Sequence, residues 1–203
     1  MKKLTLFVVG NALAAIADVG SGLMIGVVAS FFYQDLNAPI IIAAAIFFAL
    51  LPDFDIIIKF IQIKTKKGQF DSHHRTILHQ PFFFFLVFVL WLILSFVSGW
   101  PLIWPLVFLM GSLVHFFHDS LGDENYPGIQ WLAPFDKRRF TFFSRRAWRG
   151  EWQTIVRSEP EENGMGHTEW LQKFYLRITP EVVVEVIWFL AAATLVVVAM
   201  TRS

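Results

Sequence analysis

The chain alternates long apolar runs with shorter polar stretches, and this pattern predicts a bundle of membrane-spanning helices. Most of the runs are much longer than a buried strand, and they approach the ~20 residues that a helix needs to cross a hydrocarbon core. The predicted spans are residues 4–33, 38–51, 81–100, 102–119 and 181–200. We therefore expect an all-α integral membrane protein with five transmembrane helices, forming a single membrane domain over residues 1–203.

The first apolar run begins like a signal peptide, because Lys2 and Lys3 precede it. It is longer than the ~7–15 apolar residues of such peptides, so we expect a retained first span. Small residues recur along it at every fourth position, together with one carboxylate. This stripe comprises Gly10, Ala14, Asp18, Gly22 and Gly26. Such a stripe is typical of a helix face that packs against protein rather than lipid.

The composition agrees with a membrane protein, since 56% of the residues are hydrophobic and the mean hydropathy is +0.56. The net charge is only +1, but the basic residues are unevenly distributed. They precede the first span and fill the second and fourth connections, whereas the turns at 34–37 and 100–105 contain none. The positive-inside rule therefore predicts an inner (cytoplasmic) membrane protein with its N-terminus in the cytoplasm.

The longest connection, residues 120–179, is predicted to be a polar segment on the cytoplasmic side. Between residues 137 and 157 its basic residues are interleaved with Phe and Trp. This mixture is typical of a segment that lies on a membrane surface, so anionic lipids are the expected partner. A nucleic-acid surface is the less favoured alternative beside so many spans.

Imidazoles and carboxylates gather at the predicted span ends on this same side. The chain has six His and no Cys, so a metal would be held through nitrogen and oxygen alone. The predicted metal ligands are Asp53, Asp55, His74, His79, His115, His118 and Asp119. Mixed imidazole and carboxylate ligands favour Zn, Mn or Fe over Ca or Mg, and seven candidates would suffice for one or two ions.

Two of the residues near this cluster are also predicted to be catalytic, namely Asp53 and Arg75. Arg75 would steady an anionic oxygen, or alternatively reach the lipid headgroups. A purely structural alternative makes Asp53 a helix cap and Asp55 a partner of the helix dipole. It would leave His115, His118 and Asp119 as polar residues that mark where a helix leaves the bilayer.

Three motifs in this order resemble the membrane-bound metal-dependent hydrolase family, also described as LexA-binding, inner-membrane-associated hydrolases. They are Leu-Pro-Asp53-Phe-Asp55, His74-Arg75-x-x-x-His79 and His115-x-x-x-Asp119, and a later Trp131-Leu-Ala-Pro-Phe stretch is also similar. The resemblance covers residues 10–140. It implies a multispan protein with a metal-dependent hydrolase site.

The chain departs from the family pattern at several positions. Ile56 and Asn11 stand where the family often has His, and Thr76, Leu78 and Gln80 replace the Gly, Thr and Ser of the second motif. His118 is an additional imidazole that would compensate for one of the missing ones. We expect a hydrolase of a phosphoester or lipid-like substrate. The alternatives are an ion-handling protein, with Asp18 in a polar path, and a membrane scaffold with a structural metal.

Overall fold

The computed structural model describes residues 9–55, 77–121, 128–142, 155–157, 171–172 and 175–202. These residues form five α-helices, two 3-10 turns and a two-stranded antiparallel sheet. The helices are α1 (Ile16–Phe32), α2 (Ala38–Leu50), α3 (Pro81–Ser98), α4 (Ile103–Ser120) and α5 (Pro180–Arg202). The 3-10 turns are Leu51–Asp53, directly after α2, and Ile77–His79, just before α3; the strands are β1 (Arg139–Thr141) and β2 (Ile155–Arg157).

Three helical stretches of the described residues are long and apolar enough to cross a membrane. They are Val9–Phe32, which contains α1, then Pro81–Ser98 and Val182–Thr201. α2 has only 13 residues, as its short apolar run predicts. α4 is as long as α3, but two imidazoles and a carboxylate lie in its last two turns. The predicted helical membrane architecture is confirmed, while residues 4–8 of the first predicted span lie outside the described residues.

Short connections at one end of the bundle make consecutive helices antiparallel neighbours. Asn37 caps α2, since its side-chain oxygen accepts a hydrogen bond from the N–H of Ile40 at 3.3 Å. Gly99 ends α3 in the left-handed conformation, with φ of 71°. The other ends of α2, α3 and α4 consequently lie together at the opposite end of the bundle. That end carries the predicted metal ligands.

The small residues of α1 allow it to lie very close to α2. A Cβ added at Gly22 would lie 2.5 Å from the Cα of Ile46, and one added at Gly26 would lie 2.5 Å from the Cα of Ile42. Both distances are too short for any side chain, so the two helices are in backbone contact. The predicted packing stripe is therefore confirmed, and Asp18 is buried within it.

Residues 128–142 pack against the last turns of α4. The fully buried ring of Phe116 lies edge-on to Trp131, with 6.4 Å between the ring centroids. Trp131 donates a hydrogen bond from Nε1 to the Oγ of Ser120 at 2.8 Å. These contacts stabilise the end of α4, which carries Asp119.

The strands β1 and β2 lie in the segment for which only a polar membrane-surface chain was predicted. Arg139 pairs with Arg157 and Thr141 pairs with Ile155 in an antiparallel register. Strands of three residues are too short for an alternating pattern to be recognised in the sequence. In the same segment Arg138 is paired with Asp136, with 2.6 Å between Nη2 and Oδ2. The predicted contact of residues 137–157 with anionic lipids remains a prediction.

Candidate metal centre

Three separate helix ends bring together four side chains that could hold a metal ion. Asp53 ends the 3-10 turn after α2, His79 ends the 3-10 turn before α3, and His115 and Asp119 lie one turn apart near the end of α4. Each side chain offers one ligand atom, and these four atoms all lie within 4.8 Å of one another. The predicted convergence of the three helix ends is therefore observed in the structure.

Each imidazole Nε2 lies close to one oxygen of each of the two carboxylates. Asp53 Oδ1 lies 3.4 Å from His79 Nε2 and 3.7 Å from His115 Nε2. Asp119 Oδ2 lies 3.6 Å from His79 Nε2 and 3.2 Å from His115 Nε2. Ligand atoms about 2.1 Å from a tetrahedral cation are about 3.4 Å from each other. The four atoms therefore have the spacing of ligands around one ion.

A second carboxylate lies beside the other nitrogen of each imidazole. Asp55 Oδ2 is 3.1 Å from His79 Nδ1, and Asp18 Oδ2 is 3.4 Å from His115 Nδ1. Metal-binding histidines usually donate their remaining N–H to a carboxylate or carbonyl, because this contact fixes the tautomer and the ring orientation. With Nδ1 facing these carboxylates, each ring presents Nε2 to the centre.

The centre is buried on its imidazole side and reachable on its carboxylate side. The side chains of His79 and His115 are fully buried, whereas those of Asp53 and Asp119 are 26% and 18% exposed. Within the described part of the chain Nε2 of His115, the nitrogen that faces the centre, makes no well-formed hydrogen bond. A buried imidazole without such bonds is costly. A cation at the centre would offset that cost, so these residues fit a metal ion.

The pKa of His79 is set by the same neighbours. Burial lowers this pKa, but hydrogen bonds to Asp53 and Asp55 and the nearby charges of Asp53 and Asp119 outweigh burial and raise it to about 9. In the metal-free protein His79 is therefore protonated at neutral pH. A proton and a divalent cation compete for this side chain.

The predicted ligands fall into three groups. Asp53, His79, His115 and Asp119 form the centre. Asp55 lies outside it, because it faces the Nδ1 side of His79. His118 also lies outside it: consecutive residues are about 100° apart around a helix, so its side chain leaves α4 in a different direction from that of Asp119 and faces Asp18 of α1 and Glu185 of α5. His118 thus does not replace a missing ligand at this centre. His74 and Arg75 lie outside the described residues.

For two carboxylates beside the centre the sequence is less informative: it leaves open whether Asp18 packs against another helix or belongs to the site, and it does not single out Glu185. Asp18 contacts His115 and His118, and Glu185 of α5 has its Oε1 3.4 Å from His118 Nε2. One feature of the sequence points to both residues, namely a carboxylate within an apolar run. A carboxylate within an apolar span is costly and generally marks a functional or packing contact.

The fold and this centre define a class of helical membrane protein with a buried imidazole–carboxylate group at one end of its bundle. Residues 13–203 match the YdjM inner membrane protein family, and the chain belongs to that family. No curated protein and no solved structure matches the chain. The predicted inner-membrane class is confirmed, and the hydrolase activity implied by the earlier resemblance remains a prediction.

Proposed function

We propose that this protein is a membrane-embedded, metal-dependent hydrolase. The observation that carries the proposal is the convergence of four ligand atoms, from Asp53, His79, His115 and Asp119, within 4.8 Å. Two imidazole nitrogens and two carboxylate oxygens suit Zn, Mn or Fe. The four atoms surround a single position, so we propose one ion there.

The bound ion would supply Lewis-acid activation of water and of the scissile group. The protein would hold it through the Nε2 atoms of His79 and His115 and one oxygen each from Asp53 and Asp119. Asp55 would keep His79 in the tautomer that has its proton on Nδ1. The partly exposed side chains of Asp53 and Asp119 mark the side from which substrate would reach the centre.

The position of the centre supports the substrate class that we propose. It lies at one end of the helical bundle, where α2 and α4 end and α3 begins. An ester bond near the headgroups of a lipid would be within reach there, so we propose a phosphoester or lipid-like substrate. Arg75 is proposed to steady an anionic oxygen of that substrate. We propose that this end faces the cytoplasm, because the connections there are rich in Lys and Arg.

The test measures metal content and hydrolysis on the purified full-length protein in detergent. Wild type should contain about one ion per chain and cleave a phospholipid or a chromogenic phosphoester. A double variant, His115→Ala with Asp119→Ala, should lose both properties. Asp35→Asn, at an exposed carboxylate in the turn after α1, serves as the control. Equal metal content in wild type and double variant would contradict the proposal.

Cation handling is a second candidate function, favoured by one specific observation. A chain of buried or partly buried polar side chains leads from Asp119 through His115 and Asp18 to His118 and Glu185, with successive contacts of 3.2 to 3.4 Å. This chain crosses from α4 to α1 and α5. Ion flux into proteoliposomes that is abolished by Asp18→Asn would favour this function. If the wild type shows no ion flux, the hydrolase remains the proposed function.

A further inference from the structure

Asp18 occupies an unusual place in the bundle. It lies in the apolar stretch Val9–Phe32 and is only 2% exposed. A carboxylate inside a membrane span is costly, so its burial calls for partners that use the charge. Its partners are two imidazoles of α4, and one of these belongs to the metal centre.

The two carboxylate oxygens of Asp18 contact two different imidazoles. Oδ2 lies 3.4 Å from His115 Nδ1, and Oδ1 lies 3.4 Å from His118 Nδ1. Two contacts through different oxygens define the plane of the carboxylate group. The group therefore cannot rotate away from His115 without losing His118.

His118 is held in turn from the opposite side. Its Nε2 lies 3.4 Å from Glu185 Oε1, and the hydroxyl of Tyr175 donates a hydrogen bond to the same oxygen at 3.4 Å. α5 is also attached to α1 close to Asp18, because Trp188 Nε1 donates to the Oγ of Ser21 at 3.1 Å. Side chains of α5 thus hold both His118, which contacts Asp18, and the part of α1 next to Asp18.

We infer that Asp18 is a positioning residue of the metal centre, acting through His115 and held in place by His118 and Glu185. The inference rests on the proposed function only in that the centre binds a metal. Asp18 keeps the proton of His115 on Nδ1 and keeps Nε2 directed at the position shared with Asp53 and Asp119. Its negative charge also makes the imidazole a stronger ligand. Loss of a contact of this kind typically lowers metal affinity by about 10–100-fold.

The substitution Asp18→Asn separates positioning from packing. Asn has nearly the same volume and its carbonyl can still accept a hydrogen bond from His115, but it carries no charge. A role in helix packing alone would survive this change, because the volume in the α1–α4 contact is unchanged. Asp35→Asn is the matched control, being the same substitution at an exposed position.

The experiment titrates metal-free, full-length protein in detergent with Zn²⁺ against a chelating dye, and with Co²⁺ as a spectroscopic probe. Thermal unfolding of the metal-free variants, followed by circular dichroism, reports on the fold separately. We expect Asp18→Asn to bind Zn²⁺ about 10–100-fold more weakly and to shift the visible Co²⁺ band, with little change in melting temperature. Asp35→Asn should match the wild type in all three measurements.

The outcomes separate this inference from the proposed function. Equal Zn²⁺ affinities and equal Co²⁺ spectra for wild type and Asp18→Asn would overturn the inference and leave the metal centre in place. A weaker affinity in the variant would support the inference even if no substrate were hydrolysed, an outcome that contradicts only the hydrolase. A wild type that binds no Zn²⁺ or Co²⁺ would overturn both. Should Asp18→Asn fail to fold, Glu185→Gln provides the second variant, and an unchanged affinity and Co²⁺ spectrum there would overturn the inference.

Discussion

His115 and His118 lie three residues apart on α4, yet their rings face different partners. His115 Nε2 faces Asp53 and Asp119, whereas the two ring nitrogens of His118 face Asp18 and Glu185. The sequence assigns the same role to both residues, since each is an imidazole near the end of one apolar helix. The structure makes them a matched pair for testing that role.

We predict that His115→Ala loses the bound metal and that His118→Ala retains it at saturating concentration. His115 supplies one of the four converging ligand atoms, and His118 supplies none. The measurement is metal stoichiometry by elemental analysis after equilibration with excess Zn²⁺. Loss of the ion in both variants, or in His118→Ala alone, would contradict the assignment of the centre.

The stability of the metal-free protein should depend on pH through His79. Its pKa of about 9 lies above the ordinary value of 6.5, so the folded state holds a proton that the unfolded state releases. The stabilisation is fully present below pH 6.5 and is lost as the pH rises through about 9. Melting temperatures with a chelator should therefore fall over this range more steeply for wild type than for His79→Gln.

The affinity for Zn²⁺ should depend on pH in the opposite direction to the stability of the metal-free protein. Binding to His79 requires its neutral form, so Zn²⁺ affinity should rise with pH up to about 9. Isothermal titration calorimetry in buffers of different ionisation enthalpy would report proton release on binding. An affinity that does not vary with pH would show that His79 is not a ligand.

At the scale of the helices, the contact between α1 and α2 decides where Asp18 lies. This contact depends on Gly22 and Gly26, whose missing side chains allow the two backbones to touch. Asp18 lies one turn before Gly22 on the same stripe. We therefore expect a change in the spacing of α1 and α2 to reach the candidate metal centre through the contact of Asp18 with His115.

We predict that Gly22→Ala destabilises the protein by about 1–3 kcal/mol, because the new methyl group would overlap with the backbone of Ile46. Unfolding in detergent measures this change, and Zn²⁺ affinity should fall together with stability. Val28→Ile also adds a methyl group to α1, but at a position that is 53% exposed, so it should change neither property. A Gly22→Ala variant as stable as wild type would contradict the close contact.

At the scale of the whole molecule, the candidate metal centre lies at the end of the bundle where α2 and α4 end, and the sequence that follows each of these two helices is rich in Lys and Arg. The turns at the other end contain no Lys or Arg. The chain also lacks Cys, so single cysteines can be introduced without any background. This makes the predicted orientation directly testable in cells.

We predict that a membrane-impermeant maleimide labels Asn37→Cys in spheroplasts with an intact inner membrane, and labels Lys137→Cys only after that membrane is permeabilised. Asn37 lies in the turn between α1 and α2, and Lys137 lies near the end of α4 that carries the centre. Immunoblotting after labelling would report the modification. The reverse pattern would place the metal centre on the periplasmic side.

The sequence by itself determined the helices and the end of the bundle at which the polar groups gather. Long apolar runs have few alternatives to helices in a membrane, because every backbone polar group must be satisfied within its own segment. The order of the helices along the chain then brings the ends of α2 and α4 beside the start of α3. For this reason the sequence predicts that Asp53, His79, His115 and Asp119 meet, although it predicts the same of Asp55, His74 and His118.

Only the tertiary structure decided which side chains reach the metal position. Asp53 and Asp55 are two residues apart, and the 3-10 turn directs one to the centre and the other to the far side of His79. Asp18 and Glu185 contact the imidazoles because α1 and α5 both pack at the same level of the bundle. Helix rotation and depth of packing depend on contacts between residues far apart in the chain, and a local sequence pattern does not fix them.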